Sequence, residues 1–166
     1  AEHAKRVART TCALFGQAAP PGCDAASHEL DWAACLHEIG CHISHSDSHR
    51  HGAYILDNTD AAGFAASELH RLGLLVQGQR GKVRKLDAQL DDPLFMLQLL
   101  SLRLAVALCH ARRDPDTRDM LLRIDGQRMV LTARKGWCLA FPQSVHLLRE
   151  EVQAWQKTAW KMSADI

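Results

Sequence analysis

One segment of the chain is apolar on nearly every side of the helix that it predicts. It reads LFMLQLLSLRLAVALCHARR over residues 94–113 and follows Pro93, a residue that fits the first turn of a helix. Gln98, Ser101 and Arg103 interrupt the apolar run, which argues against a membrane span. Because a helix that is apolar all round must be buried, we expect the other helices to pack around this one.

Four earlier segments predict shorter or more amphipathic elements, because their apolar residues recur at three- and four-residue steps. Helices are expected over residues 2–18, 28–44 and 65–77, with a brief helix or turn over 51–58. The second helix would bury one face, made of Trp32, Leu36, Ile39 and Ile43. The first 113 residues therefore predict an all-helical part.

The pattern changes after Asp114-Pro115-Asp116. Two alternating runs flank Asp125-Gly126, which is a strong hairpin signal. Residues 137–141 are expected to add a strand, 145–158 to form a helix, and 160–166 to form a last strand. We therefore predict a mainly helical bundle over 1–113, followed by a small α+β domain over 117–166 with an antiparallel sheet.

Composition narrows the class of protein and the kinds of partner that this chain can have. Hydrophobic residues make up 47% of the chain, which is typical of a globular protein, and the net charge of +1 favours neither nucleic acid nor a membrane surface as a partner. The six cysteines show no pairing pattern and predict reduced, mostly buried thiols of a cytoplasmic protein. The chain starts without Met and inside a helical pattern, which suggests a piece of a longer protein.

Histidines are concentrated in one stretch. Five of the ten lie between residues 37 and 51. In the predicted second helix, Glu38, His42 and His45 would share the side opposite the apolar face. A metal triad is possible there, but a solvated helix face explains these three residues more simply.

Two short segments concentrate positive charge. His49, Arg50 and His51 come at the start of the brief predicted helix, where free backbone N–H groups favour an anion. A second segment, RGKVRK, begins at Arg80. Because few aromatic residues lie near it, a bare phosphate chain suits this segment better than a nucleic-acid strand that needs base stacking.

A longer pattern resembles a known family. WAACLHEIGCHISHSDSHRHGAYILDNTDAAGF, residues 32–64, resembles the exopolyphosphatase/guanosine pentaphosphate phosphatase (Ppx/GppA) family, and the resemblance extends to SLRLAVALCHARR and MLLRIDG. It implies an HD-like helical domain with a small α+β domain, in a bacterial, cytoplasmic, homodimeric phosphohydrolase. The catalytic actin-like domain of the family, which would hold Mg²⁺, is not part of this chain, so the chain itself is expected to carry no cofactor.

The resemblance also implies what each candidate residue does. The ligand would be inorganic polyphosphate or guanosine pentaphosphate, with no role for nucleic acid or stable membrane association. Its contacts would be His49, Arg50, His51, Arg80, Lys82, Arg84 and Lys85. No catalytic residue is expected in this chain, which would be inactive alone.

Two alternatives remain open. An HD-type metal-dependent phosphohydrolase would use His37, Glu38 and His51, although Gln79 stands where relatives often have a histidine and a later acidic ligand has no clear match. A dimerisation module without any ligand is the other alternative.

Overall fold

The computed structural model describes all 166 residues, which form eight helices and three strands. The helices are α1 (Glu2–Ala18), α2 (Asp24–Cys35), α3 (Ser48–Asp57), α4 (Ala66–Gly78), α5 (Asp87–Leu90), α6 (Pro93–Leu108), α7 (Trp137–Ala140) and α8 (Pro142–Trp155). The strands are β1 (Met120–Asp125), β2 (Arg128–Ala133) and β3 (Lys161–Asp165). The predicted fold class, a mainly helical part followed by a small α+β part, is confirmed.

Helix α6 is the central element, as its sequence predicts. Twelve of its 16 residues are buried, and Asp92 caps its start by accepting a 2.9 Å hydrogen bond from the Leu94 backbone N–H. Its polar residues connect it to neighbours: Gln98 donates to the Ala26 carbonyl, and Arg103 donates to the Gly78 carbonyl at 2.7 Å. No helix in the structure is both long enough and apolar enough to cross a membrane.

The second predicted helix, over 28–44, is wrong in its second half. Helix α2 ends at Cys35, and a separate 3₁₀ turn covers Ile39–His42. A Cβ atom on Gly40 would clash with the Ser48 carbonyl oxygen, so the chain turns there to let α3 approach closely. Of the predicted inward face, Trp32 and Ile43 are exposed, and the Trp32 ring meets the Phe64 ring edge-on.

The other helical predictions are confirmed. Helices α1 and α4 match their predicted segments closely, and Leu69, Leu72, Leu75 and Val76 of α4 are all buried. The brief element predicted at residue 51 is a full helix, α3, which begins earlier, at Ser48.

The sheet differs from the predicted one in two ways. The hairpin is confirmed: β1 and β2 pair from Met120↔Ala133 to Asp125↔Arg128, but β3 pairs with β2 in parallel. The sheet is therefore mixed, because α8 carries the chain back before β3 begins. The strand expected at 137–141 is wrong. Gly136, with a φ of +83°, turns the chain directly into α7, and β3 takes the edge of β2 instead.

A single hydrophobic cluster of 35 buried residues extends through both parts of the chain. Helix α1 joins them directly: the Gln17 amide donates to the Met120 carbonyl and accepts from the Leu122 backbone N–H at 2.8 Å. The division into domains 1–113 and 117–166 stays a prediction, but the core is continuous across it.

The cysteines are all free, but the prediction that most are buried is wrong. Only Cys109 is buried; Cys35, the last residue of α2, is exposed, and the other four are partly buried.

Candidate functional site

The two positively charged segments of the sequence meet in space. His49 and Arg50 lie in the first turn of α3, while Arg80, Lys82 and Lys85 follow the end of α4. All five line one cleft of about 300 Å³, which we call the cationic cleft. His51 and Arg84 also belong to the predicted binding set, but neither lines this cleft.

Local structure explains why the segments meet. Gly81 adopts a φ of +79°, a left-handed conformation that favours glycine, and a Cβ placed there would lie 3.6 Å from the His49 Nε2 atom. Beyond this turn Val83 and Leu86 are buried and hold the segment against the bundle, whereas Lys82 and Lys85 stay exposed. The apolar anchors therefore hold the lysines on the surface of the cleft.

The cationic cleft has an excess of positive charge. Arg50, Arg80, Lys82 and Lys85 form no ion pair with any carboxylate of the chain. The only acidic residue that lines the cleft is Asp47. Cations without protein partners leave an attractive site for an anion.

The same charge acts on His49. Burial lowers the pKa of its imidazole first, and Arg50, Arg80 and Lys85 lower it further, with only Asp47 opposing them. The imidazole is therefore mostly neutral at neutral pH, but a bound anion would favour its protonated form.

A second and larger cleft, of about 620 Å³, adjoins the first. It lies where α1, α6, α8 and the turn after α2 face one another, and we call it the imidazole cleft because His3, His37 and His110 line it. Arg80 and Gly81 line both clefts, so the two are neighbours along one surface.

Three potential metal ligands gather in the imidazole cleft. One nitrogen of His3, one of His37 and one carboxylate oxygen of Glu38 lie within 4.8 Å of one another. His37 is only 4% exposed, and its Nδ1 lies 2.6 Å from the Ala34 carbonyl oxygen. Because a carbonyl oxygen can only accept, Nδ1 carries the proton and Nε2 keeps a free electron pair.

The pKa values of the His3 and His37 imidazoles are both lowered, which favours their neutral forms. Burial lowers the pKa of His37, against the opposing effects of the Ala34 carbonyl and of Glu38. Burial is also the main cause that lowers the pKa of His3, and Arg112 and His37 add to it while Glu38 opposes them. Both rings can therefore offer electron pairs instead of positive charge.

The structure corrects the metal-ligand sets suggested by the sequence. His51 lies outside the cluster, and its place is taken by His3 of α1. Glu38, His42 and His45 do not form a triad, because α2 ends before them, and both His42 and His45 are exposed. No sequence signal pointed to His3, which is separated from His37 by the whole of α2.

Known proteins match this chain over nearly its full length. The model of the family described as Ppx/GppA phosphatase, domain III, matches residues 1–155. The guanosine-5'-triphosphate,3'-diphosphate pyrophosphatase of Aeromonas salmonicida is 30% identical over 166 residues, which is 96% of this chain and 34% of that protein. The proteins of the same name from Photobacterium profundum and Aeromonas hydrophila are 30% and 31% identical, each over 96% of this chain.

The chain spans about a third of the length of these relatives, 34% and 33% for the first two. The family model covers all of the helical part, including both clefts, and continues to the end of α8. The resemblance seen in residues 32–64 is therefore confirmed, and the chain belongs to the Ppx/GppA phosphatase family.

Proposed function

We propose that the cationic cleft binds a linear phosphate chain, such as inorganic polyphosphate or the phosphates of guanosine pentaphosphate. The observation that carries this proposal is the convergence of His49 and Arg50 with Arg80, Lys82 and Lys85 on one cleft. Four cations without carboxylate partners attract a polyanion, and guanidinium groups bind phosphate oxygens with two parallel hydrogen bonds.

The shape of the surface also suits a chain more than a single ion. Because the cationic and imidazole clefts share Arg80 and Gly81, a phosphate chain that enters at Lys82 and Lys85 can continue past Arg80. The only aromatic ring in the cationic cleft is the His49 imidazole, so the cleft offers little for stacking a guanine base. The proposal therefore concerns the phosphates, whether or not a nucleoside is attached.

The start of α3 adds a weaker attraction. The backbone N–H groups of Arg50 and His51 donate to the Asp47 carbonyl, but no backbone carbonyl accepts from those of Ser48 and His49. Free N–H groups at the first turn of a helix favour an anion by roughly 0.3–1 kcal/mol at an exposed site. This supports phosphate contact beside the arginine and lysine side chains.

In the longer protein, we propose that hydrolysis of the phosphoanhydride bond takes place in a catalytic actin-like domain outside residues 1–166, with Mg²⁺ bound there. The support is the family and the share of the relatives that this chain covers. Residues 1–166 would hold the substrate, help to pair two subunits and act in the cytoplasm. The purified chain should then bind polyphosphate without releasing orthophosphate from it.

The test is a titration of the purified chain with fluorescently labelled polyphosphate, compared with a matched pair of variants. One variant carries Arg80→Gln, Lys82→Gln and Lys85→Gln. Its control removes the same charge from exposed cations elsewhere, at Arg123, Lys135 and Lys157. The proposal expects the first variant to lose about 150-fold in affinity, because three removed contacts at roughly 1 kcal/mol each amount to about 3 kcal/mol, and the control to lose much less.

If the two triple variants lost affinity equally, polyphosphate binding would depend only on the net charge of the protein, which would contradict the proposal. Sedimentation velocity of the same samples tests the pairing of subunits, with and without polyphosphate. If the variant at Arg80, Lys82 and Lys85 kept its affinity for polyphosphate and the chain formed a stable dimer, assembly would instead be the role of this chain.

A further inference from the structure

We propose that His3, His37 and Glu38 bind one divalent transition-metal ion, preferably Zn²⁺, at the wall of the imidazole cleft. Two imidazoles and one carboxylate are ligands that suit zinc and its neighbours in the first transition row. The three ligand atoms come from α1 and from the turn after α2, and they already lie within 4.8 Å of one another. The inference does not depend on phosphate binding in the cationic cleft.

His37 is already oriented as a metal ligand. Its ring is almost fully buried, and the hydrogen bond from Nδ1 to the Ala34 carbonyl fixes both the tautomer and the ring plane. Its Nε2 has no hydrogen-bond partner in the protein, and the residue lines the imidazole cleft. Metal-bound histidines almost always donate their other N–H to a carbonyl or a carboxylate in this way.

The remaining two ligands need small movements, and His3 must also change its tautomer. Its Nδ1 faces the Arg6 guanidinium, which can only donate, so Nε2 carries the proton in the metal-free protein and must lose it to bind an ion. The His3 Nε2 atom lies 4.0 Å from the Glu38 Oε1 atom. Around a tetrahedral zinc ion with bonds of about 2.0–2.1 Å, ligand atoms lie roughly 3.4 Å apart. Both side chains are partly exposed, so each can close the difference by rotating about its own bonds.

Two arginines compete with a cation at this place. The Arg112 guanidinium lies 3.6 Å from Glu38 Oε1, and that of Arg6 lies 3.4 Å from His3 Nδ1. Arg112 is mostly exposed and can swing away, while Arg6 keeps its shorter ion pair, 3.1 Å, with Asp114. A bound metal ion would therefore replace Arg112 as the partner of the Glu38 carboxylate, and removal of Arg112 should strengthen metal binding.

The cleft leaves the other coordination positions open. All three ligand residues line it, and its volume of about 620 Å³ is ample for water molecules or for an anion. Three protein ligands with an open position are typical of zinc ions that exchange a bound water, whereas structural zinc sites have four protein ligands.

The experiment is calorimetric titration of the metal-free 166-residue chain with Zn²⁺, with the absorption spectrum of bound Co²⁺ as a second readout. We expect one ion per chain. His3→Ala and Glu38→Gln should each weaken binding by at least about 10-fold and reduce the Co²⁺ bands in the visible region. Arg112→Gln should tighten binding, a change that a purely structural role of the cluster would not produce.

His51→Ala and His42→Ala are the matched controls, since both remove an imidazole that lies outside the cluster. Neither should change the affinity. The variants avoid His37 because its burial makes misfolding a risk, and circular dichroism checks that the partly exposed positions His3 and Glu38 tolerate substitution.

Three results would overturn the inference. One is the absence of Zn²⁺ binding tighter than about 100 μM, an affinity of roughly 5.5 kcal/mol. Another is stoichiometric binding that survives both His3→Ala and Glu38→Gln. The third is binding that disappears on alkylation of the cysteines but not in these variants, which would assign the ion to thiolates.

Discussion

The side-chain amide of Gln79 donates a hydrogen bond to the backbone carbonyl of His37. Gln79 is 5% exposed and directly precedes Arg80. One short segment at the end of α4 therefore holds the turn that carries His37 and also presents the guanidinium shared by both clefts. This contact couples the position of the imidazole cluster to that of the cationic cleft.

Loss of this hydrogen bond should destabilise the protein. Gln79→Leu leaves the His37 carbonyl without its side-chain donor in a buried place, which costs about 1–3 kcal/mol in the free energy of unfolding. Urea denaturation of the variant and of the unchanged protein measures this difference in unfolding free energy. Gln153→Leu is the control, because Gln153 is exposed on α8 and makes no side-chain hydrogen bond; equal effects would show that the contact contributes nothing.

Gly40 should tolerate no side chain. Gly40→Ala places a methyl group against the Ser48 carbonyl oxygen, so α3 must move away from the turn, and we expect the unfolding free energy to fall by about 3 kcal/mol or more. Gly16→Ala in α1 meets no atom within 4 Å and should stabilise the protein by up to about 1 kcal/mol. Thermal unfolding of both variants checks the opposite signs.

Arg80 and Arg84 should differ in their contributions to polyphosphate binding, although both lie in the same basic segment. Arg80 lines the cationic cleft and Arg84 does not. We expect Arg80→Gln to weaken polyphosphate binding about 10-fold and to make the affinity less dependent on salt, as loss of one phosphate contact should. Arg84→Gln should change little. Fluorescence anisotropy at several salt concentrations measures both, and similar losses would contradict the placement of the site.

Polyphosphate affinity should increase as the pH falls. Burial and the neighbouring cations lower the pKa of His49 in the free protein, and a bound polyanion would raise that pKa again. The complex then takes up a proton, so binding strengthens as the pH falls through the pKa of the complex, and levels off below the lower pKa of the free protein. Titrations from about pH 8 down to about pH 5.5 follow the rise in affinity.

His49→Gln is the control for that pH effect, because it keeps a polar side chain that does not titrate. Polyphosphate itself also takes up protons as the pH falls, so the informative quantity is the difference in pH dependence between the two proteins. If their affinities change in parallel with pH, His49 does not contact the ligand.

Several features of this protein were determined by its sequence alone. The apolar surface all round α6 predicts its central place, and the Asp125-Gly126 turn predicts the β1–β2 hairpin. The pattern over residues 32–64 predicts the family to which the chain belongs. These features can be predicted from the sequence because helical periodicity, turn chemistry and charge depend on residues that are neighbours in the chain.

Other features were decided only by the tertiary structure. The end of α2 depends on how closely α3 approaches Gly40, and the parallel pairing of β3 depends on which edge of β2 is free. Likewise, His3 joins His37 and Glu38 only after α1 packs beside α2. Each of these outcomes follows from contacts between residues far apart in the chain, and no local pattern of residues encodes which distant surfaces will meet.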